Sequence, residues 1–164
     1  TALALIVRFA PEPVVMTPIG TVRSTRTQPT DDQWLAEQMH VELDASRFTP
    51  EALAGLDDFS HVLVIYVMDR VAEGDVELVA RHPRNRTDWP KVGIFAQRAK
   101  RRPNRIGVSC CRLVRCDGLR IDLEGLDAID GTPVLDVKPW VAEFGPRGDV
   151  HQPAWMTELM RDYF

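Results

Sequence analysis

At 164 residues, 45% hydrophobic and 27% charged, the chain is sized for one globular domain with a genuine core, and chain-wide disorder is excluded. No apolar run approaches the roughly 20 residues of a membrane helix, and the apolar opening Ala2–Val7 lacks the basic flank and cleavage site of a signal peptide, so a cytoplasmic protein is expected. The net charge of −4 alone argues mildly against nucleic acid, but residues 81–105 hold nine basic residues against one acidic, a contrast that marks a directed interaction with a polyanion.

Residues 1–13 end in Pro11-Glu12-Pro13 and read as a tail or edge strand. Val14 to Ser24 is strand-like, with Pro18 and Gly20 suggesting a bulge, and Thr25 to Asp32 is a polar loop. Met39-His40-Val41-Glu42-Leu43 alternates apolar and polar with period two, the pattern of a half-buried strand. Thr49-Pro50-Glu51 opens a short helix, with Thr49 as cap and Pro50 in the first turn, and Gly55 ends it. His61 to Met68 is the most apolar run in the chain and predicts a strand buried on both faces.

A long basic loop spans Arg81 to Pro90, a short strand covers Val92 to Phe95, and a second basic loop runs through Pro103 and Asn104. Ile106–Arg115 and Leu119–Leu126 flank Cys116-Asp117-Gly118, a strong hairpin signal. Val134–Val137 follows another Asp-Gly turn, and Pro153–Met160 has helical spacing with one apolar face. Cys110, Cys111 and Cys116 read as buried thiols of an apolar strand, and with four scattered histidines no metal site is expected. Short strands, frequent turns and few helices predict a mainly β chain, a compact antiparallel β-barrel with a few short flanking helices.

Phosphate-cradling glycine motifs, a nucleophile elbow and a Glu-x-x-His metal motif are all absent from the sequence. Three polar segments at strand ends remain: Thr27-Gln28-Pro29, Arg98 to Ser109, and Asp130 to Trp140. Each has a plainer reading as a turn or solvated loop, and Asp136 and Lys138, two apart on one face of an extended segment, also suit a surface ion pair.

In chain order, Phe59-Ser60-His61, Gly93-Ile94-Phe95-Ala96-Gln97-Arg98, Arg102-Pro103-Asn104-x-Ile106-Gly107-Val108-Ser109 and Asp130-Gly131-Thr132-Pro133-Val134-x-Asp136-x-Lys138-Pro139 resemble the TsaA-like (TrmO) family of S-adenosylmethionine-dependent tRNA methyltransferases. The similarity runs from about Thr17 to Trp140. It implies a barrel domain over residues 14–145, and the helical spacing noted above predicts that residues 146–164 pack against it as a helix. It also implies a homodimer, tRNA as partner, and methylation of the exocyclic nitrogen of a threonylcarbamoyl-adenosine beside the anticodon, with neither metal nor membrane involved. The implied cofactor pocket uses Thr27, Gln28, Pro29, Met68, Asp69, Arg98, Val108, Asp130, Gly131, Thr132 and Pro133.

Two positions depart from the family pattern: Arg105 and Trp140 stand where Pro and Tyr are common, and Trp140 removes a phenolic base. Chemically, Arg98 suits a carboxylate, and Asp69 or Asp130 suits hydroxyl or ammonium donors. Asp136 is the candidate base, with Lys138 orienting it or holding a substrate carboxylate. Arg84, Arg86, Lys100, Arg101, Arg102 and Arg105 are the candidate RNA contacts. Methyl transfer to a small molecule, or a non-catalytic barrel binding S-adenosylmethionine or RNA, remains open on sequence grounds.

Overall fold

A computed structural model describes residues 12–164, so nearly all of the expected N-terminal tail or edge strand lies outside the described residues. Six strands close into an antiparallel barrel: β1 (Gly20–Ser24), β2 (Met39–Leu43), β3 (His61–Val67), β6 (Ile106–Asp117), β7 (Arg120–Glu124) and β8 (Pro133–Pro139). They are hydrogen-bonded in the circular order β1-β2-β7-β6-β3-β8. A separate two-stranded ribbon pairs β4 (Ala80–Arg81) with β5 (Val92–Gly93), and one short helix, α1 (Ala154–Leu159), follows the barrel. The expected mainly β barrel with few short helices is the fold observed.

Period-two patterning fills the interior. Val22, Val41, Val62, Val64, Cys111, Ile121 and Val134 are fully buried, each an inward position on its strand. This geometry corrects the reading of residues 61–68 as buried on both faces. In β3 only Val62, Val64 and Tyr66 point inward, and the alternate residues are half-exposed on the barrel's outer wall. The same alternation buries Cys111 and turns Cys110 outward, while Cys116 is half-buried, so only one of three thiols is a core group.

Other elements are shorter than their patterns suggest. Among the described residues no strand precedes Gly20, and β1 matches the five residues of β2 from Gly20↔Leu43 to Ser24↔Met39. Pro18 lacks the donor that would extend the ladder. The expected helix after Thr49 is a pair of 3-10 turns, Pro50–Leu53 and Leu56–Asp58. Thr49 makes no side-chain capping bond, and Gly55 joins the two at φ 82° instead of ending one helix. Val92–Phe95 splits into β5 and a 3-10 turn at Ile94–Ala96. The hairpin forms as expected, one residue later, with Asp117 paired to Arg120 and Gly118 at φ 61°.

Strand directions put the C-terminal ends of β1, β3 and β7 and the N-terminal ends of β2, β6 and β8 at one mouth of the barrel. The connections 25–38, 68–105 and 125–132 therefore all gather there. All three polar segments singled out in the sequence reach that mouth.

Candidate functional site

A cavity of about 850 Å³ opens at this mouth, in the upper part of the range for small-molecule sites. Of the expected cofactor residues, Pro29, Met68, Asp69, Arg98, Val108 and Thr132 line it. Thr27, Gln28, Asp130, Gly131 and Pro133 are not on the lining, but each is within two residues of one that is.

Arg70 ties this set together, and the sequence reading missed it. Its guanidinium donates to the Thr27 carbonyl at 2.9 Å and to the Asp130 carbonyl at 3.3 Å. One side chain three residues past the end of β3 thus joins the first polar loop to the Asp130–Thr132 turn. That turn is also laced to β1: the Asp130 amide donates to Arg26 O, the Gly131 amide to Val22 O, and Asp130 Oδ1 accepts from the Ser24 amide at 3.1 Å. Thr132 is buried and returns its hydroxyl to Ile129 O at 2.8 Å. Gly131 sits at φ +85° with open space where a Cβ would stand, so its backbone is accessible to a ligand. Across the mouth, Arg98 donates to the Val108 carbonyl and Lys100 reaches Pro29 O at 3.4 Å.

A second network lies deeper. Asp127, between β7 and β8, accepts from the Tyr66 hydroxyl at 3.1 Å, from Ser109 Oγ, and from the Tyr163 hydroxyl at 2.5 Å. Burial first, and then the Asp127 charge, pushes both phenols above their usual range, so both stay protonated donors. No sequence signal marks this cluster, because Asp127 and Tyr163 are 36 residues apart and Asp127 sits among apolar neighbours.

The segment bearing Tyr163 is anchored at both ends. Trp34 and Gln33 amides donate to the carbonyls of Tyr163 and Asp162 at 3.0 and 2.9 Å. On α1, Glu158 accepts from Trp89 Nε1 at 3.0 Å and from Arg86 at 3.2 Å, and Arg86 stacks 3.9 Å over the Trp89 ring. The Trp89 bond, followed by Arg86, holds the Glu158 carboxyl below its ordinary range.

The basic segments divide into neutralised and available charge. Arg81 pairs with Glu77 at 3.7 Å, Arg84 grips both oxygens of Asp32, and Arg86 pairs with Asp88 and Glu158. Lys100, Arg101, Arg102 and Arg105 have no carboxylate partner among the described residues; Arg102 and Arg105 bind the carbonyls of Gln97 and Val71. Arg84, Lys100 and Arg102 line the cavity, while Arg86, Arg101 and Arg105 do not.

Asp136 and Lys138 form an exposed ion pair at 2.9 Å outside the cavity. In register, Asp136 lies opposite Ile65, which lies opposite Val108, and Lys138, Leu63 and Cys110 form the next row. The pair is thus on the outer wall, two strand spacings, or roughly 10 Å, from the cavity edge at Val108.

A model of the tRNA-methyltransferase O N-terminal domain matches residues 15–145. A probable S-adenosyl-L-methionine-binding protein of Methanothermobacter thermautotrophicus is 33% identical over 135 residues, covering 80% of this chain and 93% of that protein. The human tRNA (adenine(37)-N6)-methyltransferase is 38% identical over 102 residues, 62% of this chain; the match spans only 23% of the human protein. A crystal structure of TrmO from P. aeruginosa superposes with a TM-score of 0.71 at 30% identity, covering 90% of this chain and 64% of that one.

Proposed function

The chain belongs to the tRNA-methyltransferase O N-terminal domain family, and from that membership we propose that it is an S-adenosylmethionine-dependent methyltransferase acting on tRNA at the exocyclic nitrogen of an adenine. The finer reading is that this adenine carries a threonylcarbamoyl group beside the anticodon. One observation carries the proposal: Arg70 fastens the Thr27–Pro29 loop to the Asp130–Thr132 turn at the mouth that Met68, Asp69, Arg98 and Val108 also line.

The donor set fits the cofactor. On the lining, Arg98, Arg70 and Lys100 suit its carboxylate and Asp69 suits its hydroxyl or ammonium donors, while Asp130 and the open backbone at Gly131 stand in the adjoining turn. Bound S-adenosylmethionine supplies an electrophilic methyl group on a sulfonium leaving group. The protein's own work is to align the accepting nitrogen with that methyl group, exclude water and receive a proton. A urea-like nitrogen is a weak nucleophile, so its N–H proton goes to a carboxylate base as the N–C bond forms. Two bases are proposed: Asp136, singled out in the sequence and standing on the outer wall, and Asp127 on the lining. Lys138 or a loop arginine holds the threonyl carboxylate.

Lys100, Arg101, Arg102 and Arg105 are the proposed phosphate contacts, with Arg84 and Arg86 in supporting positions. A cytoplasmic homodimer, with the basic loops of one copy near the cavity of the other, completes the reading, and light scattering at micromolar concentration tests it. The deciding experiment is incubation with labelled S-adenosylmethionine and tRNA carrying threonylcarbamoyl-adenosine, followed by nucleoside analysis. One methyl group on that nucleoside supports the proposal, and tight cofactor binding with no tRNA methylation defeats it.

A further inference from the structure

Two sets of hydrogen bonds border the cavity. One joins Arg70 to the Thr27 and Asp130 carbonyls and Lys100 to the Pro29 carbonyl, on the side of the expected cofactor segments 27–29 and 130–133. The other is built on Asp127 and faces a wall of Trp34, Tyr66, Met156, Met160 and Tyr163. Met156, Met160 and Tyr163 come from the segment after the barrel, beyond the residues 15–145 matched by the family model. Three of the five residues of this second chamber's wall therefore come from a part of the chain beyond the matched domain.

Its chemistry is specific. Trp34 and Tyr66 are buried behind the chamber, and the half-exposed Tyr163 ring and the polarizable thioethers of Met156 and Met160 suit a planar ring. An ionised carboxylate offers about four acceptor positions. Tyr66, Ser109 and Tyr163 take three of them, and Asp127 has no basic partner among the described residues. The remaining acceptor position asks for a donor on the ligand. In the same wall the Trp34 indole N–H is buried without a hydrogen-bond partner among the described residues, an unmatched donor that asks for an acceptor. A ring that carries an amine beside a ring nitrogen supplies both.

Building on the methyltransferase reading, we propose that this chamber is the subsite for the methyl acceptor, taking an amino-substituted heteroaromatic base of the adenine class with its amine toward Asp127, and that the C-terminal segment forms its wall. Two ligands then occupy one cavity side by side, the cofactor on the Arg70 network and the acceptor ring on the Asp127 network. A volume of about 850 Å³ has room for both.

The test uses the full chain saturated with S-adenosylhomocysteine and adenosine as probe, with binding read from broadening of the adenosine ring-proton NMR signals. Adenosine is expected to bind the saturated protein. Met160→Trp, at a half-exposed position on the wall, fills the chamber and removes adenosine binding while leaving S-adenosylhomocysteine affinity unchanged. Asp127→Asn weakens adenosine by about tenfold, the effect of one hydrogen bond to a charged group.

Three results overturn the proposal: no adenosine binding to the saturated wild type, equal loss of both ligands in Met160→Trp, or an Asp127→Asn variant that loses S-adenosylmethionine but keeps S-adenosylhomocysteine, which assigns the chamber to the sulfonium. If neither cofactor form binds, the methyltransferase reading falls separately. Adenosine binding to the unliganded protein, blocked or not by Met160→Trp, then decides the chamber on its own.

Discussion

A Cβ placed on Gly107 would stand 2.3 Å from the Tyr66 ring, so the ring lies directly on the backbone of the neighbouring strand. The paired strands leave no room between them, since Gly107 and Tyr66 face each other in register. Gly107→Ala must push a buried phenol off Asp127 and is expected to cost about 1–3 kcal/mol, as overpacking does. Urea unfolding followed by circular dichroism measures it, and an unchanged midpoint refutes the close contact.

Cofactor affinity should depend on a residue that need not touch the ligand. Arg70→Ala unfastens the Thr27 loop from the Asp130 turn and is expected to weaken S-adenosylmethionine binding about tenfold, or roughly 1.4 kcal/mol. Arg98→Ala and Asp130→Ala should weaken it by a similar factor. Titration calorimetry checks all three, and wild-type affinity in Arg70→Ala would remove the clamp from the argument.

Available and neutralised arginines should separate in salt dependence. Arg101→Glu with Arg102→Glu is expected to lower tRNA affinity and to flatten its salt slope by about 1.4 to 1.8, given roughly 0.7–0.9 per phosphate contact. Arg86→Gln, which removes a charge already paired with Asp88 and Glu158, should leave the slope unchanged. Filter binding across a salt series distinguishes the two, and equal slopes for both variants would contradict the division of charge.

Docking of the C-terminal helix should weaken in acid. Glu158 has its carboxyl lowered from 4.5 by Trp89 and Arg86, so the contribution is complete above that ordinary value and is lost as pH falls through the lower folded one. Fluorescence of Trp89 and Trp155, whose rings lie 6.4 Å apart, should change in that acid window and lose the step in Glu158→Gln. A step persisting in the variant would assign it to another group.

The two candidate bases give opposite signatures. If Asp127 receives the proton, Asp127→Asn lowers kcat by about 100-fold or more with cofactor affinity intact, while Asp136→Asn leaves kcat near wild type. The reverse pattern returns the role to the Asp136–Lys138 pair on the outer wall. Single-turnover methylation of modified tRNA reads both.

Local patterns were the legible part of this chain. Alternation alone located Met39–Leu43 with its correct ends, and Asp117-Gly118 located the hairpin to within one residue. The apolar run at 61–68 misled because Leu63, Ile65 and Val67 are apolar yet half-exposed on the outer wall, where composition and burial part company. The polar loops were found, but their assembly was not. Arg70 acts through carbonyls 43 and 60 residues away, and no spacing in a sequence records such contacts. Arg81, Arg84 and Arg86 looked like free charge because most of their carboxylate partners, Asp32 and Glu158 among them, are distant in the chain.

The seam that closes the barrel is also its thinnest join. β1 and β8 share only the registered pairs Gly20↔Val134 and Thr21↔Pro133, and the ladder then passes into the Asp130–Thr132 turn through Val22, whose amide donates to Thr132 O and whose carbonyl accepts from Gly131. The last rungs of the cylinder are therefore the same peptide groups that frame the cavity mouth. A ligand seated against that turn acts as a clasp, so the exchange of the Val22 and Gly131 amides with deuterated water becomes a direct gauge of occupancy, readable one peptide group at a time.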